Sequence, residues 1–162
     1  SEELLARKRQ TTIERLNRID ISDLPKEGKE KERVVKVRVN QSIFRTMNLA
    51  TYNYKCCITG IENSDLLIAS HIVPWSNDEK NRLNPMNGLC LNALHDKAFD
   101  KGLMTVDALN YTIKISARLK TKIVSESIAN NFLKLEGKSI SLPDKFLPSR
   151  EFLKMHNDFA KL

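Results

Sequence analysis

Two short apolar runs separated by a polar loop constrain this chain more than any other feature. The first, LLIASHI at residues 66–72, has strand length and carries an imidazole, His71, just before Pro74 and Trp75. The stretch from Ser76 to Asn87 is polar, and the second run, GLCL at 88–91, is again only long enough for a strand. It leads into NALHDKAFD, which reads as a helix closed at Gly102, a residue suited to the left-handed end of a helix. The unit is therefore strand, loop, strand, helix. A histidine in a buried strand gains nothing unless its polar atoms are satisfied or used, because an unpaired buried polar group costs free energy.

The chain has 162 residues, which suits one compact domain with an appended helix. Leu4, Leu5, Ile13, Leu16 and Ile19 recur at near-helical spacing, so residues 2–18 read as an amphipathic helix that packs on a partner surface. DISDLPKEGKEKER, residues 20–33, has the composition of an exposed linker, dividing the chain into 1–33 and a main domain at 34–162. RVVKVRVN alternates Val35, Val37 and Val39 against Lys36 and Arg38, the period of a half-buried strand with a basic outer face. Asn40 or Ser42 then caps a helix with Ile43, Phe44, Met47 and Ala50 on one face, ending near CCITG, where Gly60 marks a turn. LMTVD and YTIKIS flank Ala108–Asn110 as a hairpin; residues 124–135 and 149–161 read as helices, with SISLP between them as a short strand. The fold class is α+β.

Lys plus Arg outnumber Asp plus Glu by 27 to 20, a net charge of +7 that favours a polyanionic partner, although many soluble proteins share it. The three cysteines, Cys56, Cys57 and Cys90, form neither a secreted disulfide framework nor paired CxxC knuckles; they read as small buried apolar residues in a reduced setting. Apolar runs fall far short of the roughly 20 residues needed to span a bilayer, so the expected location is cytoplasmic. The first residue is Ser1 rather than Met, which suits processing, a cloning remnant or the edge of a larger protein.

His71, Asn87, His95, Asp96 and Asp100 lie within 30 positions of one another. Phosphodiester hydrolysis needs a base able to take a proton from water near neutral pH, which imidazole supplies. It also needs a divalent cation to offset charge on the phosphate, and carboxylates suit Mg²⁺. On a helix Asp96 and Asp100 share a face, whereas His95 points about 100° away from Asp96. An asparagine in the intervening loop can hold the imidazole by hydrogen bonding and fix its tautomer.

SHIVPWS, NGLCLNALHDKAFDKG and the upstream CCITG together resemble the HNH endonuclease family with its ββα-metal fold, and more narrowly its bacterial restriction-type members. The resemblance covers about residues 52–107; VKVRVNQSIFR and FLPSREFLKMHN have the flavour of the same subgroup. It implies that His71 is the general base that activates water, and that Asn87 organises the loop and orients that base. The family's helix ligand for metal falls nine positions after the Asn, at Asp96; a shift of one residue would make it His95. Relatives of the colicin-nuclease type add a ligand one turn later, here Asp100. Many members carry an acidic residue or His before the base, where this chain has Ser70, which leaves one ligand unassigned. The cofactor implied is Mg²⁺ or Mn²⁺. The family's zinc-bound version has paired CxxC motifs that this chain lacks, so no structural zinc is expected.

Each residue also has a plainer reading. Asn87 before Gly88 is an ordinary turn signal, Asp100 helps end a helix, and Asp96 is a solvated neighbour of Lys97. Trp75 reads as a core anchor, and His156 as a locally bonded residue without chemistry. Lys80 and Arg82 in the loop, and Lys97 and Lys101 on one helix face, are candidate DNA contacts, with ordinary surface charge as the alternative. The expected function is a metal-dependent DNA endonuclease of restriction or defence type acting on double-stranded DNA. The alternatives are a DNA-binding module whose nuclease centre is weakened or lost, and the nuclease half of a larger restriction enzyme joined through residues 2–33. Double-strand cleavage by one site per chain would favour a homodimer.

Overall fold

The computed structural model describes residues 28–74 and 79–162, together with Glu3, Arg7 and Gln10, which are helical. The rest of the helix expected at 2–18, residues 20–27 of the linker, and Trp75 lie outside the described residues.

The first long element is a helix, α1, Gly28–Thr51. It corrects two expectations: residues 28–33 are helical rather than linker, and RVVKVRVN is helix rather than strand. The helix runs unbroken past residue 33 and past Asn40 and Ser42, so neither of those residues caps it. Alternating valines cost a helix only a few tenths of a kcal/mol each, a weak preference that packing elsewhere along the same helix overrides. That packing is supplied by the C-terminal half, where Phe44, Asn48, Leu49 and Ala50 are buried and Arg45 donates hydrogen bonds to the carbonyls of Leu67 and Ser64. At the valine-rich half, by contrast, side chains are exposed or half-buried.

The two apolar runs form an antiparallel pair, β1 (Leu67–His71) and β2 (Gly88–Asn92), with His71 opposite Gly88 and Leu67 opposite Asn92. Every residue of β2 is buried, because α1 packs on this hairpin and so does the helix that follows, α2 (Ala93–Asp100). Asn92 ends β2 and begins α2: its Oδ1 accepts from the His95 backbone N–H, a standard way to satisfy a free donor at a helix start. The chain leaves α2 through Gly102, whose φ of +66° is open to glycine at little cost.

A second antiparallel pair, β3 (Met104–Val106) and β4 (Ile113–Ile115), matches the expected hairpin. Helices α3 (Glu126–Asn131) and α4 (Arg150–Ala160) fall within the two ranges read as helical. SISLP is not a strand: it makes a single bridge, Ser139 to Thr112, because Pro143 soon removes a backbone donor from any longer ladder. Asn157 donates to Thr105 Oγ1 (2.9 Å) and to the Val106 carbonyl (2.8 Å), fastening α4 to β3. Leu67, Leu89, Leu91, Phe99, Met104, Val106, Ile113, Ile115 and Leu153 share one core. The three cysteines are buried free thiols. Burial raises Cys57 and Cys90, the latter to about 12. For Cys56 burial also pushes upward, but hydrogen bonds from Thr59, Ile58 and Asn92 outweigh it and leave the thiol below its ordinary value.

Asn92 serves several groups at once, since its Nδ2 also reaches Thr59 Oγ1 and the His95 ring. Replacement by Ala is expected to destabilise the fold by about 1–3 kcal/mol through the lost cap and the orphaned ring nitrogen. Urea unfolding would report this as a lower midpoint at unchanged slope; an unchanged midpoint would contradict it.

Candidate active site

The chain has three histidines, and a backbone carbonyl accepts from Nε2 in each: Arg82 for His71 (2.9 Å), Asn131 for His95 (2.7 Å) and Phe99 for His156 (2.9 Å). A carbonyl cannot donate, so Nε2 carries the proton in all three and Nδ1 is the bare nitrogen of the neutral ring. The rings differ at Nδ1. In His95 it faces Asn92 Nδ2 at 2.8 Å, and in His156 the Thr105 hydroxyl at 2.6 Å. In His71, Nδ1 has no partner among the described residues, and the ring lines a cavity of about 250 Å³. Desolvation by burial lowers the His71 pKa, partly offset by the bond to the Arg82 carbonyl, so the ring is neutral at pH 7. A fixed, neutral imidazole with an open nitrogen is what a general base requires.

Sequence spacing suggested that Asn87 holds this imidazole directly, but the structure gives that bond to the Arg82 carbonyl. Asn87 is fully buried and clamps the loop instead. Its Oδ1 accepts from Val73 N–H (2.9 Å), and its Nδ2 reaches the carbonyls of Val73 (3.2 Å) and Asn81 (3.3 Å). The side chain thereby ties the segment leaving β1 to the segment entering β2. Arg82 lies between the two, so its carbonyl is aimed at His71 by a loop that Asn87 closes.

On α2 the acidic residues part company with His95. His95 is 2 % exposed, and both of its ring nitrogens are engaged, Nδ1 by the Asn92 amide and Nε2 by the Asn131 carbonyl. Its neighbour Asp96 is half-buried, and its pKa is raised by desolvation, lowered by a hydrogen bond from the Ser70 hydroxyl, and raised again by Asp100, with a net upward shift. Asp100 is exposed and lines the same cavity as His71. The structure thus brings His71 and Asp100 to one cavity and couples Asp100 to Asp96.

The remaining cavity wall was not anticipated from the sequence. Besides Ile72, Val73 and Pro74 next to the base, it comes from Phe99 and from Met155, His156 and Phe159 of α4. His156 stacks flat on Phe99, with ring centroids 3.6 Å apart, and burial lowers its pKa to about 4, in keeping with a bonded residue without chemistry of its own. The amphipathic spacing of FLKMHNDF could have marked a packed helix, but nothing local showed that it packs beside residue 71. Lys80, Lys97 and Lys101 are exposed and Arg82 is half-buried. Among the described residues, no group of three or more His, Cys, Asp or Glu comes together as a metal cage, and no helix is long and apolar enough to cross a membrane.

Residues 56–107, about a third of the chain, match the family model described as HNH endonuclease. That segment begins at Cys56, spans both strands and α2, and ends just after β3. No curated protein matches the chain.

The depressed histidines set a pH dependence. Between about 4 and the ordinary 6.5, His156 is protonated in the unfolded chain but not in the folded one. Stability should therefore be fully present above pH 6.5 and be lost as pH falls through this window, with His156 contributing about 3 kcal/mol. Asp96, whose pKa is raised, acts with the opposite sign. Urea titrations at several pH values should show a shallower acid loss for His156→Gln than for the parent protein; equal slopes would contradict the assignment.

Proposed function

Because residues 56–107 are an HNH endonuclease segment, we propose that this chain is a metal-dependent endodeoxyribonuclease in which His71 deprotonates the attacking water. The observation that carries the reading is the state of His71: Nε2–H given to the Arg82 carbonyl, Nδ1 without a partner among the described residues, and the ring at a cavity that Asp100 shares. Water attacks phosphorus, its proton passes to Nδ1, and the bond from phosphorus to the 3′ oxygen breaks; that oxygen takes a proton from solvent, so the products are a 5′-phosphate and a 3′-hydroxyl. Asn87 acts from behind by holding the loop that aims the Arg82 carbonyl.

The donor chemistry suits a hard cation. Asp96 and Asp100 are two carboxylates one helical turn apart; desolvation first, and the charge of Asp100 in addition, raise Asp96, and a positive charge would relieve both. Mg²⁺ and Mn²⁺ are commonly held by one or two carboxylates while keeping several waters, which accords with the absence of a larger cage among the described residues. When bound, such an ion would offset charge on the phosphate and on the leaving oxygen. Lys80, Arg82, Lys97 and Lys101 are proposed to meet the phosphate backbone of double-stranded DNA, consistent with the net charge of +7. A role in restriction or defence, as a homodimer or as part of a larger enzyme, completes the proposal.

A second reading has its own support. With two carboxylates, and with Ser70 in the position before the base, the metal grip is weak, as in a DNA-binding module whose nuclease centre is reduced. Supercoiled plasmid incubated with Mg²⁺, Mn²⁺ or EDTA separates the two. The nuclease reading predicts nicking or linearisation that EDTA stops, and binding without cleavage under every metal would favour the module.

His71→Ala should reduce cleavage at least about 100-fold while leaving DNA affinity near that of the parent, the usual scale for loss of a general base. Asp96→Asn should raise the Mg²⁺ concentration needed for half-maximal cleavage by about tenfold or more. Undiminished cleavage by His71→Ala would remove that residue from its role.

A further inference from the structure

The base does not stand on the matched segment alone. Phe44, on α1 and upstream of residue 56, lies flat against the His71 ring, with centroids 3.7 Å apart and planes 13° from parallel. We infer that Phe44 is a positioning residue for the base: it fixes the plane of the imidazole while the Arg82 carbonyl fixes its rotation, so that Nδ1 has one orientation toward the phosphate. The inference rests on the reading of His71 as the base.

Two independent constraints are needed because a single hydrogen bond at Nε2 leaves the ring free to pivot about it. Phe44 supplies the second, and it is itself held: it is 2 % exposed, on the face of α1 that packs against the hairpin. Gly88 makes the fit possible. It pairs with His71 across the hairpin, and a Cβ there would lie 2.8 Å from Phe44 Cζ and 2.6 Å from Asn48 Nδ2. Asn48 lies one turn beyond Phe44 on α1, and its buried amide has no hydrogen-bond partner among the described residues. One further turn on, the Tyr52 hydroxyl donates to the Gly88 carbonyl at 3.0 Å, fixing the helix to the same point of the hairpin. Phe44, Asn48 and Tyr52 thus form a seat behind the base, with Gly88 as its floor.

A hydrophobic residue of similar size would fill the space but would not impose a plane. Phe44→Leu and Phe44→Met, in the full chain with Mg²⁺ and supercoiled plasmid, should therefore lower kcat by about 10- to 100-fold while KM for DNA stays within a few-fold. A folded Leu or Met variant with parental kcat would overturn the inference. If neither Leu nor Met folds, the role of Phe44 is structural and the inference fails. His71→Ala measured alongside keeps the two claims apart: an inactive His71→Ala beside a fully active Phe44→Leu sinks only the seat, whereas an active His71→Ala sinks the base itself.

Discussion

A hydrogen bond from His71 Nε2 to a main-chain carbonyl, 2.9 Å long, decides what the rest of this structure can do. It spends one ring nitrogen on the protein and thereby leaves the other as the bare nitrogen of the neutral ring. It also depends on distant parts of the chain. The carbonyl belongs to Arg82, in a loop closed by Asn87, which is held at the start of β2; β2 in turn is buried between α1 and α2. Loosening any of these would leave His71 in place but without a fixed tautomer.

The other two histidines show why an open ring nitrogen at position 71 is a matter of surroundings rather than residue type. His95 and His156 make the same carbonyl bond, yet each has its second nitrogen taken up, by Asn92 and Thr105 respectively. They join elements: His95 links α2 to the end of α3, and His156 links α4 to β3 and Phe99. The two acidic residues show the converse. Asp96 is held in a setting that disfavours its charge, by desolvation first and by Asp100 in addition. Unrelieved charge of this kind costs stability, and a positive charge placed beside it would relieve that cost.

Much of the hairpin and helix was legible because their signals are local. The short apolar runs, the Asn at the start of α2 and the Gly after it define β1, β2 and α2 to within a residue or two. The hairpin of β3 and β4 followed from its flanking strands in the same way. Where the structure departs from the local pattern, the deciding force is not local. Val35, Val37 and Val39 alternate as in a strand, yet they belong to a helix anchored at Phe44 and Tyr52, where the packing is. The burial of the His95 ring depends on the Asn131 carbonyl, which lies 36 residues along the chain. Phe44 could be placed on an apolar helix face from spacing, but no periodicity could reveal that its ring meets residue 71.

The central claim is a protonation state, and nitrogen NMR of the ring reads it most directly. In protein labelled with ¹⁵N at histidine and held at pH 7, the account predicts that His71 is neutral, with Nε2 protonated and Nδ1 bare, as its bond to the Arg82 carbonyl requires. A ring protonated at Nδ1, whether as the other tautomer or as the imidazolium, would contradict it.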